Sequence, residues 1–228
     1  MKETSNDSVA PDLGLYDAMS TLRAVRKLRP DPIPEDALRR VLEAASWAPT
    51  GGNVQPWRVV VVRKPELKQR LGDLYHQGWS VYSKKHMAQL KGAPERVIEK
   101  TRRILAAGDR LATNFGETPV VLVFCFNPEH MAITDIDQDR VSVVGGGSIY
   151  PAVQNALLAC RAEGLGCVLT TLLCEFEPQV REILGIPQPW GTAAAIPIGY
   201  AVGRGHGPIT RKPIEKLAFL DTWGTAFD

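Results

Sequence analysis

Residues 44–62 read AASWAPTGGNVQPWRVVVV, and they are the most informative part of the chain. A run of small and apolar residues stops at Pro49, because proline disfavours helical geometry in the residue before it. A short polar turn through Thr50 and Asn53 follows, and a Pro-Trp pair then leads into a run of valines. This turn, which we call the elbow (residues 49–57), presents backbone amides, a hydroxyl and a carboxamide on a loop between rigid elements. Such chemistry suits a flat ligand with polar edges that the backbone must approach closely.

The composition is that of one ordinary folded domain. The chain has 228 residues, of which 44% are hydrophobic, enough to bury a sizeable core. The net charge of +2 gives no indication of a nucleic-acid partner or of a membrane surface as partner. No segment approaches the roughly 18 uninterrupted apolar residues of a membrane span. Residues 1–12 are polar and lack the apolar core of a signal peptide. We therefore expect a flexible tail there, a single domain over residues 13–228, and a cytoplasmic location.

The four cysteines indicate buried thiols rather than a metal site. They lie among apolar residues and form no Cys-x-x-Cys pair. A zinc site needs close ligand pairs, which the sequence lacks, so we expect no metal. The residues concerned are Cys125, Cys160, Cys167 and Cys174.

The spacing of apolar residues predicts an α+β fold, in which helices flank a sheet of few strands. Helices are expected near residues 15–22, 34–48, 65–75 and 176–184, and strands at 58–62, 119–126, 167–173 and 193–202. The first strand is apolar almost throughout, so we expect both of its faces to be covered. Residues 76–115 are rich in charge and less regular, and the tail from Gly203 is expected to run extended across a surface.

A further helix is expected over residues 149–163, where alanine and leucine occupy most of the circumference. A helix that is apolar all round is buried, which favours the middle of the fold or a subunit interface. Ser148 is suited to cap its first turn, and Gly164 stands where the left-handed residue after a helix belongs.

Residues 21–30, TLRAVRKLRP, contain four basic side chains within seven residues. In an extended chain Arg23 and Arg29 would share one side, whereas in a helix Arg23 and Arg26 would share a face. In either case two guanidinium groups can converge on one anion, such as a phosphate. The alternative is a basic surface exposed to solvent.

Two later segments have features of the same kind. Residues 163–172, EGLGCVLTTL, turn on glycine after the buried helix and enter a strand with two threonines. In the tail, Arg204, Arg211 and Lys212 are spaced by glycine and proline, and simple solvation is again the alternative. Neither segment is specific by itself.

The order and spacing of these segments make the chain similar to the FMN-dependent nitroreductase family, over roughly residues 14–220. The most specific match is Pro-Thr-Gly-Gly-Asn-x-Gln-Pro-Trp in the elbow. The other matching motifs are Arg23-x-x-Arg26 before Asp31-x-Ile33-Pro34, Gln154-Asn155-Ala156-Leu157-Leu158-Ala159 with Gly164-Leu165-Gly166, Pro197-Ile198-Gly199-Tyr200, and Arg211-Lys212-Pro213-Ile214-Glu215.

The resemblance implies a homodimer with a central mixed sheet, an interface helix over residues 149–163, and two FMN sites built from both subunits. It implies that Arg23 and Arg26 bind the flavin, with Arg26 near N1 and O2 of the ring. A fixed positive charge there stabilises the reduced anion. The remaining implied contacts are Pro49, Thr50, Gly51 and Asn53 at the ring edge, ribityl chain or phosphate; Thr170, Thr171 and Leu172 against the ring; and Arg211, then Arg204, at the phosphate.

The chain departs from the family pattern around Ala24. Many members carry Arg-Arg-Ser or Arg-His-Ser where this chain has Leu22-Arg23-Ala24, so one phosphate-side Arg and one hydroxyl are missing. Ala24 stays a cofactor contact by position, and Arg211, Arg204 or Lys212 can supply the missing charge. A relative that fragments its own flavin has Asp at the position of Ala24, so that activity is not expected here.

Residues 76–115 match a region that varies in the family and often covers the active site. Within it, residues 84–110 carry eight basic and three acidic side chains. Some of these cations are expected to select NADPH through its 2′-phosphate, and the alternative is a helical face exposed to solvent. Trp79, Tyr82 and Phe115 can stack on an aromatic substrate or pack in the interior.

The sequence shows no His-Asp pair, clustered carboxylates or activated Ser or Cys. We therefore expect no dedicated catalytic residue, with Arg26 as an electrostatic stabiliser and the chemistry in the cofactor. The implied activity is ping-pong reduction of nitroaromatics, quinones or similar small electron acceptors by NAD(P)H. The alternatives are a narrow enone, halogenated-phenol or aldehyde reductase, a non-catalytic flavin-binding protein, and a dimer that has lost FMN.

Overall fold

The computed structural model describes residues 13–227, so the expected tail of residues 1–12 lies outside the described part of the chain. The described part contains six α-helices and a four-stranded sheet, which confirms the expected α+β fold. The helices are α1 (Leu15–Thr21), α2 (Glu35–Ser46), α3 (Pro65–Ala88), α4 (Glu95–Asn114), α5 (Tyr150–Ala162) and α6 (Glu177–Leu184). The strands are β1 (Trp57–Val62), β2 (Val120–Phe126), β3 (Gly166–Cys167) and β4 (Gly191–Gly199). No helix among the described residues is long and apolar enough to cross a membrane.

The strands are ordered β1-β2-β4-β3, and every pair of described strands is antiparallel. Val60 of β1 lies opposite Val123 of β2, and Leu122 of β2 lies opposite Ile196 of β4. The expected mixed sheet is therefore corrected to an antiparallel one. The expectation that β1 is covered on both faces was also wrong, since β1 is an edge strand and only partly buried. A run of valines reports apolar surroundings but not a strand's place in the sheet.

Helices pack on both faces of the sheet and give two cores. On one face, α2 and α5 cover Leu122 and Ile196. On the other face, α3, α4 and α6 cover Val121 and Val123. Successive residues of β2 enter opposite cores because side chains alternate along a strand. Each fully buried side chain of this kind contributes about 1.5–3 kcal/mol to stability. α5 buries one side against α2 and the sheet, and its other side borders an apolar groove.

Residues 76–115 are more regular than the sequence suggested, because α3 extends over 24 residues and α4 over 20. The buried positions of α4 include Leu105, Gly108 and Leu111, which recur every three residues on one side. Because these buried residues are few and stand among many charged ones, the helical pattern is hard to recognise in the sequence. Gly108 lies against the ring of Trp79, where an added Cβ would come within 2.0 Å of a ring carbon. Phe115 is fully buried and Trp79 packs half-buried against the same core, while Tyr82 remains exposed.

The expected strand over residues 167–173 is much shorter in the structure. β3 ends at Cys167, and Thr170 then forms an isolated antiparallel bridge with Ala195. The chain turns away at once, since the N–H of Cys174 donates to the carbonyl of Thr171 at 2.9 Å. The β-branched residues in this stretch favour a strand, and for that reason a continuous strand was predicted. After β3 only the bridge between Thr170 and Ala195 forms.

The C-terminal tail lies largely exposed from residue 208 onward. It contains a single short 3₁₀ turn at Ile214–Lys216 and a local bridge between Phe219 and Ala226. Its large apolar side chains are exposed, and Trp223 is 92% exposed to solvent.

Candidate active site

The elbow is held in a sharply bent conformation. Gly52, Asn53 and Gln55 have φ angles of 58°, 54° and 51°. Such positive angles are uncommon for residues other than glycine and mark a constrained backbone. The hydroxyl of Thr50 accepts a 3.0 Å hydrogen bond from the N–H of Gln55 and closes the turn. The side chains of Pro49 and Asn53 stay exposed, so the elbow can contact a ligand without rearrangement.

Ser148 holds the elbow rather than capping a helix, which corrects the sequence expectation. Its hydroxyl accepts a 3.2 Å hydrogen bond from the N–H of Gly51. α5 begins at Tyr150 with Ile149 at the capping position and no side-chain cap. Gly164 does follow the helix in the left-handed conformation, with φ of 71°.

The basic segment, residues 23–29, is extended, which decides between the two conformations left open by the sequence. The N–H of Val25 donates to the carbonyl of Cys167 at 2.9 Å. The N–H of Arg29 donates to the carbonyl of Tyr200 at 2.7 Å. The segment thus lies along β3 and the end of β4. Gly166 permits this approach, since a Cβ there would lie 2.7 Å from a methyl group of Val25.

A cavity of 420 Å³, which we call the basic cavity, separates the basic segment from α4. Arg23, Ala24 and Arg26 form one wall, so the structure brings these three predicted site residues together. The other wall is formed by Arg96, Glu99, Lys100, Arg103, Ile104 and Ala107.

Tyr75 of α3 is buried near Thr170 and within range of the charge of Arg26, a placement that sequence reasoning missed. Its side chain is 3% exposed and stacks on Phe115 with ring centroids 4.7 Å apart. Burial raises the pKa of Tyr75, and the Thr170 hydroxyl and the Arg26 charge act in the opposite direction. The burial of Tyr75 could have been predicted, because this residue stands on the apolar side of the predicted helix.

Arg204 lies beside Arg23 at the start of the tail. Both guanidinium groups approach Gly207, where an added Cβ would be 3.8 Å from Nη1 of Arg23 and 4.0 Å from Nε of Arg204. Neither group has a carboxylate within 4.0 Å among the described residues. Two guanidinium groups near one glycine, with no carboxylate partner among the described residues, suit an anion such as a phosphate.

His206 fixes this part of the tail and was also missed by sequence reasoning. Its Nδ1 accepts from the N–H of Arg23 at 3.2 Å, and its Nε2 lies 2.9 Å from the carbonyl of Leu165. No sequence pattern indicated the residue, because its two partners lie far away in the chain.

The remaining predicted contacts are placed as follows. Thr170 is buried, and its hydroxyl accepts from the N–H of Leu172 at 3.4 Å, while Thr171 is exposed. Arg211 is exposed and donates to the carbonyl of Thr210.

The elbow and the basic segment lie at opposite edges of the sheet. The elbow leads directly into the edge strand β1, whereas Val25 bonds to β3 at the other edge. Strands lie about 4.8 Å apart, so the two edges are separated by about 14 Å. No described elbow residue lines the basic cavity. A single chain therefore does not bring the two predicted walls of the site together.

Curated relatives match nearly the whole chain. A Thermus thermophilus protein named NADH dehydrogenase is 29% identical over 212 residues, covering 92% of this chain and 98% of that protein. An iodotyrosine deiodinase from Nematostella vectensis is 26% identical over 212 residues, covering 90% of this chain and 74% of that protein.

Solved structures share the fold. A BluB-like flavoprotein from Clostridium difficile 630 matches with a TM-score of 0.67 and 18% identity, covering 92% of this chain and 99% of that one. The NADPH:FMN oxidoreductase from Vibrio harveyi, solved with NAD⁺, matches with a TM-score of 0.64 and 17% identity, covering 93% and 79%. The Nitroreductase family model matches residues 21–200. As its motifs predicted, the chain belongs to the nitroreductase family and is an oxidoreductase.

Proposed function

We propose that this protein is an FMN-dependent oxidoreductase that uses NAD(P)H to reduce nitroaromatics, quinones or similar electron-poor acceptors. The observation that carries the proposal is the convergence of Arg23 and Arg204 on Gly207, next to the cavity that Arg26 lines. This donor set fits a ligand with a phosphate at one end and an electron-rich ring edge at the other.

Each basic residue has a distinct role in the proposed site. Arg23 and Arg204 hold the phosphate, because a guanidinium can donate two parallel hydrogen bonds to phosphate oxygens. Arg26 places its positive charge beside the ring, where negative charge develops on reduction. FMN bound by these residues would supply the hydride-transfer chemistry between the nicotinamide and the acceptor, in a ping-pong cycle. The nicotinamide leaves before the acceptor enters the same place.

We further propose a homodimer in which the elbow of one subunit completes the basic site of the other. The separation of elbow and basic segment supports this arrangement. So does an apolar groove of 470 Å³ between α1, α2 and α5, at which the side chain of Trp47 is 77% exposed. Exposed apolar surface of this kind is typical of protein–protein contacts. The exposed apolar side chains of the tail supply further surface for the same contact.

The proposed hydride donor is NADPH in preference to NADH. The support is the charge of residues 84–110, whose cations Arg96, Lys100 and Arg103 border the basic cavity. A phosphate on the adenosine ribose adds negative charge that these residues can bind. Steady-state kinetics test the preference, and equal kcat/KM values for the two nucleotides would exclude it.

A second candidate function is reductive removal of halogen from a phenol. It is favoured by the curated iodotyrosine deiodinase, which aligns with 90% of this chain. Turnover of halogenated phenols, measured beside turnover of nitroaromatics and quinones, separates the two candidates.

The visible spectrum of the purified protein is the decisive experiment. We expect flavin bands, their loss under anaerobic NADPH, and their return when a nitroaromatic acceptor is added. A protein that stores flavin would show the bands but negligible NAD(P)H oxidation with any acceptor. Absence of flavin bands together with no uptake of added FMN contradicts the proposal.

A further inference from the structure

The basic cavity carries more positive charge than the proposed cofactor uses. Five cationic side chains line it, and Glu99 is the one acidic residue among its described lining residues. Arg23 and Arg26 belong to the proposed flavin site. Three cations on the opposite wall, which we call the α4 cations (Arg96, Lys100 and Arg103), are not used by the flavin and meet the phosphate of NADPH in only one half of the proposed cycle.

The α4 cations share one face of their helix. They are separated by four and three residues, the spacing that places side chains one above another. Ala107, four residues after Arg103, continues the same face into the cavity. Arg102 points elsewhere and forms an ion pair with Glu95 at 3.1 Å. The α4 cations are therefore directed at the cavity rather than spread around the helix.

These charges have no partner within the described protomer. Among residues 13–227, no carboxylate lies within 4.0 Å of an α4 cation. Like charges that face one another across a cavity repel, and the repulsion is relieved when an anion binds between them. Ile104 and Ala107 add apolar surface beside the cations, which suits the carbon skeleton of an organic ligand.

We infer that the electron acceptor of this enzyme is an anionic aromatic or conjugated compound, one that bears a carboxylate, sulfonate or phosphate. The α4 cations bind the anionic group, and the apolar side chains of Ile104 and Ala107 beside them contact the ring. The inference rests on the proposed function, because Arg26 on the facing wall marks the position of the ring that reduces the acceptor. The phosphate of the hydride donor meets the same cations in the other half of the cycle, so the test measures the acceptor alone.

The test compares two acceptors of equal shape and different charge, 4-nitrobenzoate and 4-nitrobenzamide. The FMN-loaded protein is reduced with dithionite, which removes the nicotinamide from the experiment, and is then mixed rapidly with each acceptor. We expect Arg103→Gln to lower the ratio of second-order rate constants, benzoate to benzamide, by about three- to tenfold. The triple variant Arg96→Gln/Lys100→Gln/Arg103→Gln should lower it further. Because the ratio is compared between variants, the different reactivities of the two compounds cancel.

Arg102→Gln is the matched control, since it removes a neighbouring charge that does not line the basic cavity. Its ratio should stay within about twofold of the wild-type ratio, as is usual for a surface ion pair. An equal ratio in the wild-type protein and the triple variant overturns the inference while leaving the proposed function intact. Failure of both acceptors to reoxidise the protein overturns the proposed function instead.

Binding supplies a readout that does not depend on turnover. Calorimetric titration of the oxidised, FMN-loaded protein with benzoate and with benzamide should show tighter binding of benzoate. The preference should fall in the triple variant and on raising the salt concentration, because salt screens exposed charges. Equal affinities for the two compounds contradict the inference.

Discussion

His206 accepts a hydrogen bond at Nδ1 from the backbone N–H of Arg23, at 3.2 Å. Its Nε2 lies 2.9 Å from the carbonyl oxygen of Leu165, which can only accept, so the proton of the neutral ring is on Nε2. One imidazole thereby joins the tail, the basic segment and the residue before β3. The position of Arg23 in the proposed phosphate site depends on this ring.

Substitution of His206 by alanine should loosen the phosphate site. Loss of the two hydrogen bonds is expected to lower the free energy of unfolding by about 1 kcal/mol and to weaken FMN binding as well. Urea unfolding and FMN titration of the purified protein measure the two effects. His76→Ala, on the exposed side of α3, is the control and should change neither quantity. Unchanged FMN affinity in His206→Ala would show that the ring does not position Arg23.

Protonation of the same ring should make stability depend on pH. Burial lowers the pKa of His206 from 6.5, and the nearby Arg161 and Arg23 charges lower it further, while the Leu165 carbonyl acts in the opposite direction. The unfolded chain then binds this proton more readily than the folded protein. The stabilisation is therefore complete above about pH 6.5 and declines as the pH falls toward the folded-state pKa. Unfolding curves across this range should show the decline in the wild-type protein and a flatter profile in His206→Gln.

Substitution of Arg204 and substitution of Arg211 should weaken FMN binding to different extents. The sequence favours Arg211 as the phosphate ligand, whereas the structure places Arg204 beside Arg23. We expect Arg204→Ala to weaken FMN binding by about 1.5–3 kcal/mol, the range for a lost hydrogen bond to a charged group. Arg211→Ala should have a smaller effect. Fluorescence titration of the apoprotein with FMN measures the affinity of both variants. A larger loss of affinity in Arg211→Ala than in Arg204→Ala would show that Arg211 is the main phosphate ligand.

The sequence predicted local features well where a residue type strongly favours one backbone conformation, such as glycine after a helix or valine in a strand. Gly164 follows its helix in the left-handed conformation, and β2 forms at Val120–Phe126 where a strand was expected. The tertiary partners of polar residues could not be predicted in this way. Ser148 was expected to cap α5, but its hydroxyl bonds to Gly51, which is remote in the sequence. The bonds of His206 were equally hidden, because they depend on how the tail returns to the basic segment.

Gly108 should be essential for packing α3 on α4. A Cβ at this position would overlap the ring of Trp79, whose Nε1 is held by Asp109 at 2.6 Å. Since the ring cannot move without breaking that bond, Gly108→Ala should destabilise the protein by about 1–3 kcal/mol. Gly147→Ala is a suitable control, because no atom lies within 4 Å of an added Cβ there. A shift in the midpoint of urea unfolding for Gly108→Ala alone is the expected result, and equal midpoints would contradict it.

A mixed dimer tests whether each site draws on two subunits. Arg23→Glu reverses a charge of the basic segment, and Asn53→Val strains the elbow, because a β-branched residue is unfavourable at a φ of 54°. Each variant alone should bind FMN weakly. In a heterodimer of the two variants, one shared site contains both changes and the other contains neither. Co-expression with two affinity tags and isolation of the doubly tagged dimer should therefore give half of the FMN sites with wild-type affinity. If each site lay within a single protomer, every site would carry one change, and no wild-type affinity would return.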